Sequence, residues 1–151
     1  MSRIDKLTIT GYKSIAELRD FELRNLNVLI GANGAGKSNF ISLFRMLAEM
    51  ADERLQSHVQ KQGGPDALLH YGRKTTERIH GGLTFASGQY RFDLVPTNDN
   101  RLIYDDEQVL KDDGLPGGFR HGSHAESKVG SLMRGWSEQS TFRDWRVYHF
   151  H

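Results

Sequence analysis

Residues 27–39, Asn-Val-Leu-Ile-Gly-Ala-Asn-Gly-Ala-Gly-Lys-Ser-Asn, limit what this chain can fold into more than any other stretch. They fit the pattern G-x-x-x-x-G-K-[ST], running from Gly31 through Ala32, Asn33, Gly34, Ala35 and Gly36 to Lys37 and Ser38. An apolar run at 28–30 leads in and a helical pattern leads out. That is the strand–loop–helix context a phosphate-binding P-loop (Walker A) requires. Glycine at 31, 34 and 36 lets the backbone curl where a Cβ would forbid it, so that N–H groups point inward at an anion with a helix N-terminus behind them. Lys37 is then expected to reach the β- and γ-phosphates, and the Ser38 hydroxyl to be a Mg²⁺ ligand. A merely structural turn needs one or two glycines, not three followed by Lys-Ser opening a helix. The expected ligand is a nucleoside triphosphate with Mg²⁺.

The chain is 151 residues long, enough for one domain. With 37% hydrophobic and 26% charged residues it has the balance of a globular protein, and a net charge of +1 gives no global attraction for nucleic acid or membrane. There is no cysteine, which excludes disulfides and thiolate metal sites. The N-terminus carries no apolar signal core and no apolar run is long enough to span a bilayer, so a cytoplasmic protein with no membrane partner is expected.

Alternation over 4–12 predicts a first strand, and Ile15, Leu18, Phe21 and Leu23 a second. After a turn at Arg24-Asn25, residues 26–30 read as the P-loop strand, buried on both faces. Phe40, Ile41, Phe44, Leu47, Ala48, Ala51 and Leu55 recur at helical steps, which predicts one helix from Lys37 to about Val59, ending before Gly63-Gly64-Pro65. Residues 67–71 suit a short helical turn. Strands are expected at 78–85 and 89–95 around Ser87-Gly88, and at 101–110, forming an antiparallel meander. The Gly-rich stretch 111–127 reads as a long mobile loop, with a strand ending early in it. Helical signals at 129–136 and 141–145 and a strand signal at 145–150 complete the chain. The organisation expected is one partial P-loop NTPase domain over 1–151: opening strands, P-loop and helix (1–62), meander (67–110), mobile loop (111–127), then helix and final strand (128–151). A last strand signal running directly into His151 suggests the front part of a longer chain.

Ile9-Thr10-Gly11-Tyr12-Lys13-Ser14-Ile15, a second strand, and then Leu26 to Asn39 together resemble the N-terminal part of ABC-type ATPase heads. The nearest branch is the RecF and structural-maintenance-of-chromosomes (SMC) group, which includes AAA-type predicted ATPases and OLD-type nucleases. Tyr12-Lys13-Ser14 matches that group's aromatic–basic–Ser signature, and Gly31 to Asn39 matches its loop, G-x-N-G-[AS]-G-K-[ST]-[NT]. The resemblance implies an α/β fold, the first lobe of such a head, with an antiparallel β-meander beside the P-loop strand and helix. It implies that Gly31 to Ser38 hold ATP and Mg²⁺, that Asn33 fills the Asn position of the loop, and that Lys13 and Ser14 lie near the nucleotide. It also implies a partner, either a second ATPase head or a missing C-terminal half, with DNA as a further possible partner. The segment 145–150 would approach the group's Q-loop, but no Gln stands there.

The signature motif and late Walker B strand of such heads do not appear in the sequence. Leu102-Ile-Tyr-Asp105-Asp106-Glu107 is a superficial Walker B candidate, weighed against a solvated strand end. The pairs His121/His124 and His149/His151 are weak metal candidates. Arg73, Lys74 and Arg78 form a modest basic cluster, more consistent with a solvated surface than with a nucleic-acid contact. Trp136 and Trp145 fit core or interface anchors better than stacking platforms. Three functions follow: an ATP-hydrolysing head acting in DNA repair, chromosome maintenance or phage defence; a nucleotide-binding or partner-interaction module that does not hydrolyse; and a small-molecule P-loop kinase. Two strands ahead of the P-loop speak against the kinase.

Overall fold

The computed structural model describes residues 4–112 and 116–129. Strand β1 (Ile4–Tyr12) turns through Lys13-Ser14 into β2 (Ile15–Glu22). The P-loop follows, then helix α1 (Lys37–Ala51), helix α2 (Leu55–Gln62) and a 3₁₀ turn at Pro65–Ala67. Strands β3 (Ile79–Phe85), β4 (Gly88–Pro96), β5 (Leu102–Lys111) and β6 (Pro116–His124) come after. All six strands join one antiparallel sheet in the order β2-β1-β3-β4-β5-β6. The meander is therefore as expected, and β1 inserts beside β3 to bring the N-terminal hairpin into the same sheet.

Period-two alternation gives the sheet two unlike faces. Leu7, Ile9, Ile79, Leu83, Tyr90, Phe92, Leu94, Leu102, Tyr104 and Val109 are buried in one core with Leu43, Met46, Leu47 and Met50 of α1 and Leu55 and Val59 of α2. Thr8, Thr10, His80, Thr84, Arg91 and Asp93 fall on positions of the opposite parity and remain partly or fully exposed. The buried stripe of α1 differs slightly from the one predicted. Leu43, Met46, Leu47 and Met50 face the core, whereas Phe40 and Phe44 lie at its edge, packed edge-on in a row with Phe21 of β2.

The sheet accepts Phe92 only because its cross-strand partner is a glycine. A Cβ on Gly81 would stand 2.0 Å from Phe92 Cζ. Gly81→Ala is expected to cost about 1–3 kcal/mol through overpacking, measured by denaturant unfolding. The double variant with Phe92→Leu should recover part of that loss.

Three expectations are corrected. The single helix over 37–59 is two helices. The chain leaves α1 at Asp52, Glu53 takes a left-handed φ of 56°, and α2 restarts at Leu55. The restart is stabilised from afar, because the Glu126 carboxylate accepts from Leu55 N (2.7 Å) and Gln56 N (3.1 Å), supplying the cap that Arg54 does not. Second, the stretch read as a mobile loop over 111–127 contains β6, paired along β5.

Third, residues 26–30 are not a strand. Leu26, Val28 and Ile30 are 79%, 72% and 92% exposed instead of buried on both faces. A P-loop strand of this composition needs parallel neighbours to take its N–H and C=O groups and cover its side chains. Among the described residues every strand belongs to the antiparallel sheet, and none runs beside 26–30. A 3₁₀ turn stands at Pro65–Ala67, ahead of the helical turn expected at 67–71, where Leu69 instead makes an isolated bridge with Tyr12. Apart from Val129, the helical signals at 129–136 and 141–145 and the strand signal at 145–150 lie outside the described residues, as do Trp136, Trp145, His149 and His151. No helix among the described residues is long and apolar enough to cross a membrane.

Candidate nucleotide-binding site

The loop from Gly31 to Gly36 delivers the chain into α1 at Lys37. Gly34 and Gly36 hold φ of 84° and 87°, the left-handed region that favours glycine. Ala35 N closes back on Ala32 O at 3.2 Å, which tightens the curl. Gly36 offers no side-chain cap and the first turn of α1 has no acidic residue. The N–H groups of that turn are thus left without an intrahelical acceptor, and nothing negative competes for them. The Lys37 ammonium folds over the loop, donating to the carbonyls of Gly31 and, at 2.6 Å, of Ala32. Uncapped N–H groups, left-handed glycines and a lysine over the loop fit a polyphosphate, and the hydroxyl of Ser38 in the first turn fits its Mg²⁺.

The hairpin tip between β1 and β2 is clasped onto this loop. Tyr12 is fully buried and its hydroxyl meets Ser42 Oγ at 2.9 Å; burial pushes that phenol up to about 12. Ser42 Oγ in turn donates to Asn39 O. Two residues along the hairpin, Ser14 Oγ accepts from Asn39 Nδ2 at 2.8 Å, and a Cβ on Gly36 would come within 3.1 Å of the same oxygen. Tyr12 and Ser14 thereby fix the first turn of α1 from one side. Lys13, between them, has a left-handed φ of 47° and turns the other way, donating to Gln62 Oε1 at 2.9 Å. Partial burial pushes its amine down from the usual lysine range. So Ser14 touches the P-loop directly, whereas Lys13 stands beside it, on the wall of an open cleft of about 760 Å³ that also includes Ser14 and Asn39.

The other candidates separate from this site. The Leu102–Glu107 run lies on β5, and its acids serve the fold. Simple alternation would point Asp106 inward with Leu102 and Tyr104. A bulge at Asp105 resets the register so that Glu107 turns in instead. Glu107 is fully buried and accepts from Tyr90 Oη (2.7 Å), Ser127 Oγ (2.5 Å) and Lys128 N (2.9 Å), with His124 Nε2 at 2.9 Å. A carboxyl group so engaged has no lone pair to offer a metal at the P-loop. Asp105 is exposed, 3.7 Å from Arg78. His124 is thus a structural partner, with its Nδ1 on Gly122 O, and no group of three or more metal-ligating side chains occurs among the described residues. Arg73 is held by Asp66 and by Thr97 O and Asn100 Oδ1. That leaves little of its charge for a nucleic-acid backbone.

Residues 26–150 match the family described as an AAA domain, AbiEii toxin-like, type IV toxin–antitoxin system. The chain belongs to that family. The match begins at Leu26, at the threshold of the P-loop, and covers the loop, both helices and the meander. Curated proteins give no match. This is an AAA-type P-loop domain with an α/β fold built on a six-stranded antiparallel sheet. Domains of the AAA family generally use ATP and Mg²⁺, the pair that the loop's chemistry suits.

Proposed function

We propose that this chain binds ATP with Mg²⁺ as the first lobe of an ABC-type ATPase head of the RecF and SMC kind. The observation that carries the reading is the clasp of the Tyr12-Lys13-Ser14 hairpin tip onto the P-loop helix through Ser14 and Asn39. A P-loop alone is common to many NTPases, and this clasp joins it to the strand signature of that group. On this reading the backbone of Gly31 to Lys37 cradles the phosphates, Lys37 neutralises the terminal ones, Ser38 holds the metal, and Ser14 and Asn39 keep the loop against the hairpin. Mg²⁺, when bound, would supply further neutralisation of the phosphate charge. A second head is the expected partner, with DNA beyond it. Of DNA repair, chromosome maintenance and phage defence, the family's toxin–antitoxin description favours defence.

One observation favours a non-hydrolysing module as the second reading. The only Walker B-like acids in the described residues are on β5, and Glu107 is enclosed there. Hydrolysis needs a group that orients or activates water at the γ-phosphate. The purified chain is therefore expected to bind Mg²⁺-ATP with turnover near background. Phosphate release from ATP by the wild type, with Lys37→Ala as the blank, checks this. Robust turnover lost in Lys37→Ala would overturn the module reading, and a phosphorylated product from a sugar or nucleoside panel would indicate a kinase instead.

A further inference from the structure

Tyr71 combines properties that folding alone does not explain. It is 81% exposed, yet it sits in a loop fixed on both sides. His70 N donates to Gly11 O at 2.9 Å, and the His70 ring meets Lys13 O through Nδ1 at 2.6 Å. Gly72 N returns to Leu69 O, and Thr75 N and Thr76 N both return to Gly72 O. Arg73 N and Nε bind Asp66, and its guanidinium reaches on to the turn between β4 and β5. In the middle of this rigid loop Tyr71 takes a left-handed φ of 56°, a conformation that is strained for a bulky side chain. The His70 ring backs it at a centroid distance of 4.3 Å. A strained, braced backbone thus presents an aromatic ring to solvent instead of to the core.

The direction of that ring gives it a use. Tyr71 lines the same cleft as Lys13, Ser14 and Asn39. The cleft runs from the hairpin tip beside the P-loop to the loop carrying Tyr71, with Arg73 and Lys74 on its rim. Its volume, about 760 Å³, is in the range of small-molecule sites. A triphosphate on the P-loop leaves its nucleoside to be placed. The adjoining cleft offers an exposed aromatic ring and the amine of Lys13.

We infer that Tyr71 is the stacking wall for the base of the nucleotide. The inference rests on the proposal that the P-loop holds the phosphates. The ring meets the base with an exposed face, while the His70 ring, tilted 57° against it, braces it from beside. Stacking uses the π-face that every base possesses, so Tyr71 favours nucleotides over bare polyphosphate without choosing strongly among bases.

The test compares Mg²⁺-ATP with inorganic tripolyphosphate by calorimetric titration of the full chain. Tyr71→Ala is expected to weaken ATP about 10- to 100-fold, in the range seen for loss of one base–aromatic stack, and to leave tripolyphosphate unchanged. Tyr71→Phe should behave as wild type, and an unchanged melting profile for both variants confirms the fold. Lys37→Ala should weaken both ligands. If Tyr71→Ala binds ATP as tightly as wild type while Lys37→Ala does not, the stacking wall is overturned and the P-loop reading stands. If the wild type binds neither ligand, both fall.

Discussion

Replacing Glu107 with alanine is expected to lower the stability of the chain by about 3–5 kcal/mol, the cost of removing one side of a buried, hydrogen-bonded polar cluster. Tyr90 Oη, Ser127 Oγ and Lys128 N would all lose their acceptor, and the His124 ring its partner. The Tyr90 and Ser127 hydroxyls lie in the buried part of the cluster, where water does not replace a lost acceptor and their desolvation is no longer offset. Burial already holds the hydroxyls of Tyr90 and Tyr104 well above the usual phenol range, which reflects how dry this part of the core is. The loss would extend beyond β5. Glu107 fixes Ser127 and Lys128, and one residue earlier Glu126 caps α2, so freeing the segment also uncaps that helix. Thermal unfolding followed by circular dichroism should show a fall of roughly 10 °C or more for a domain of this size. Asp105→Ala, on the same strand but exposed in a long ion pair with Arg78, should change stability by less than about 1 kcal/mol. Equal effects of the two substitutions would contradict the assignment of Glu107 to the core.

Lys37→Ala should act in the opposite way, with little effect on stability and a large one on binding. Its ammonium bridges only loop carbonyls, on the exposed side of the chain. A charge-assisted hydrogen bond is worth about 1.5–3 kcal/mol, and Lys37 is positioned to make more than one to the terminal phosphates. ATP affinity is therefore expected to fall by at least about 100-fold, each 1.4 kcal/mol being a factor of ten. Lys37→Arg should not restore it, because the planar guanidinium fork is bulkier than an ammonium and cannot replace a point charge inside the loop. Equilibrium binding of a fluorescent ATP analogue measures both variants.

Much of this was readable in the residues. Core-facing residues, at period two in β1 and β3 to β5 and at three-residue steps (Ile15, Leu18, Phe21) in β2, placed these five strands to within a residue or two. The glycine pattern at 31, 34 and 36 located the P-loop, and the aromatic–basic–Ser tripeptide pointed to the hairpin that clasps it. The failures have physical causes. Residues 26–30 carry the composition of a buried strand, but composition cannot state whether neighbours exist, and among the described residues none flank them. The break between α1 and α2 depends on Glu126, distant in sequence from the helix that it caps. Glu107 looked like part of an acidic strand end because a bulge, invisible to a period-two count, reverses its direction. Tyr71 gave no periodic signal at all. Its role depends on a left-handed backbone at a non-glycine residue and on the cleft that forms around it.

If the loop from Gly31 to Ser38 is a nucleoside triphosphate site, ATP must stabilise the folded chain. The most direct test is the melting temperature of the chain across a Mg²⁺-ATP titration, with AMP and Lys37→Ala as controls. A ligand bound to the folded state alone adds about 2.7 kcal/mol of stability at one hundred times its dissociation constant. The melting temperature is expected to climb with the logarithm of ATP concentration, with little response to AMP and no climb in Lys37→Ala. No shift at saturating ATP, or the same shift in Lys37→Ala, would contradict it.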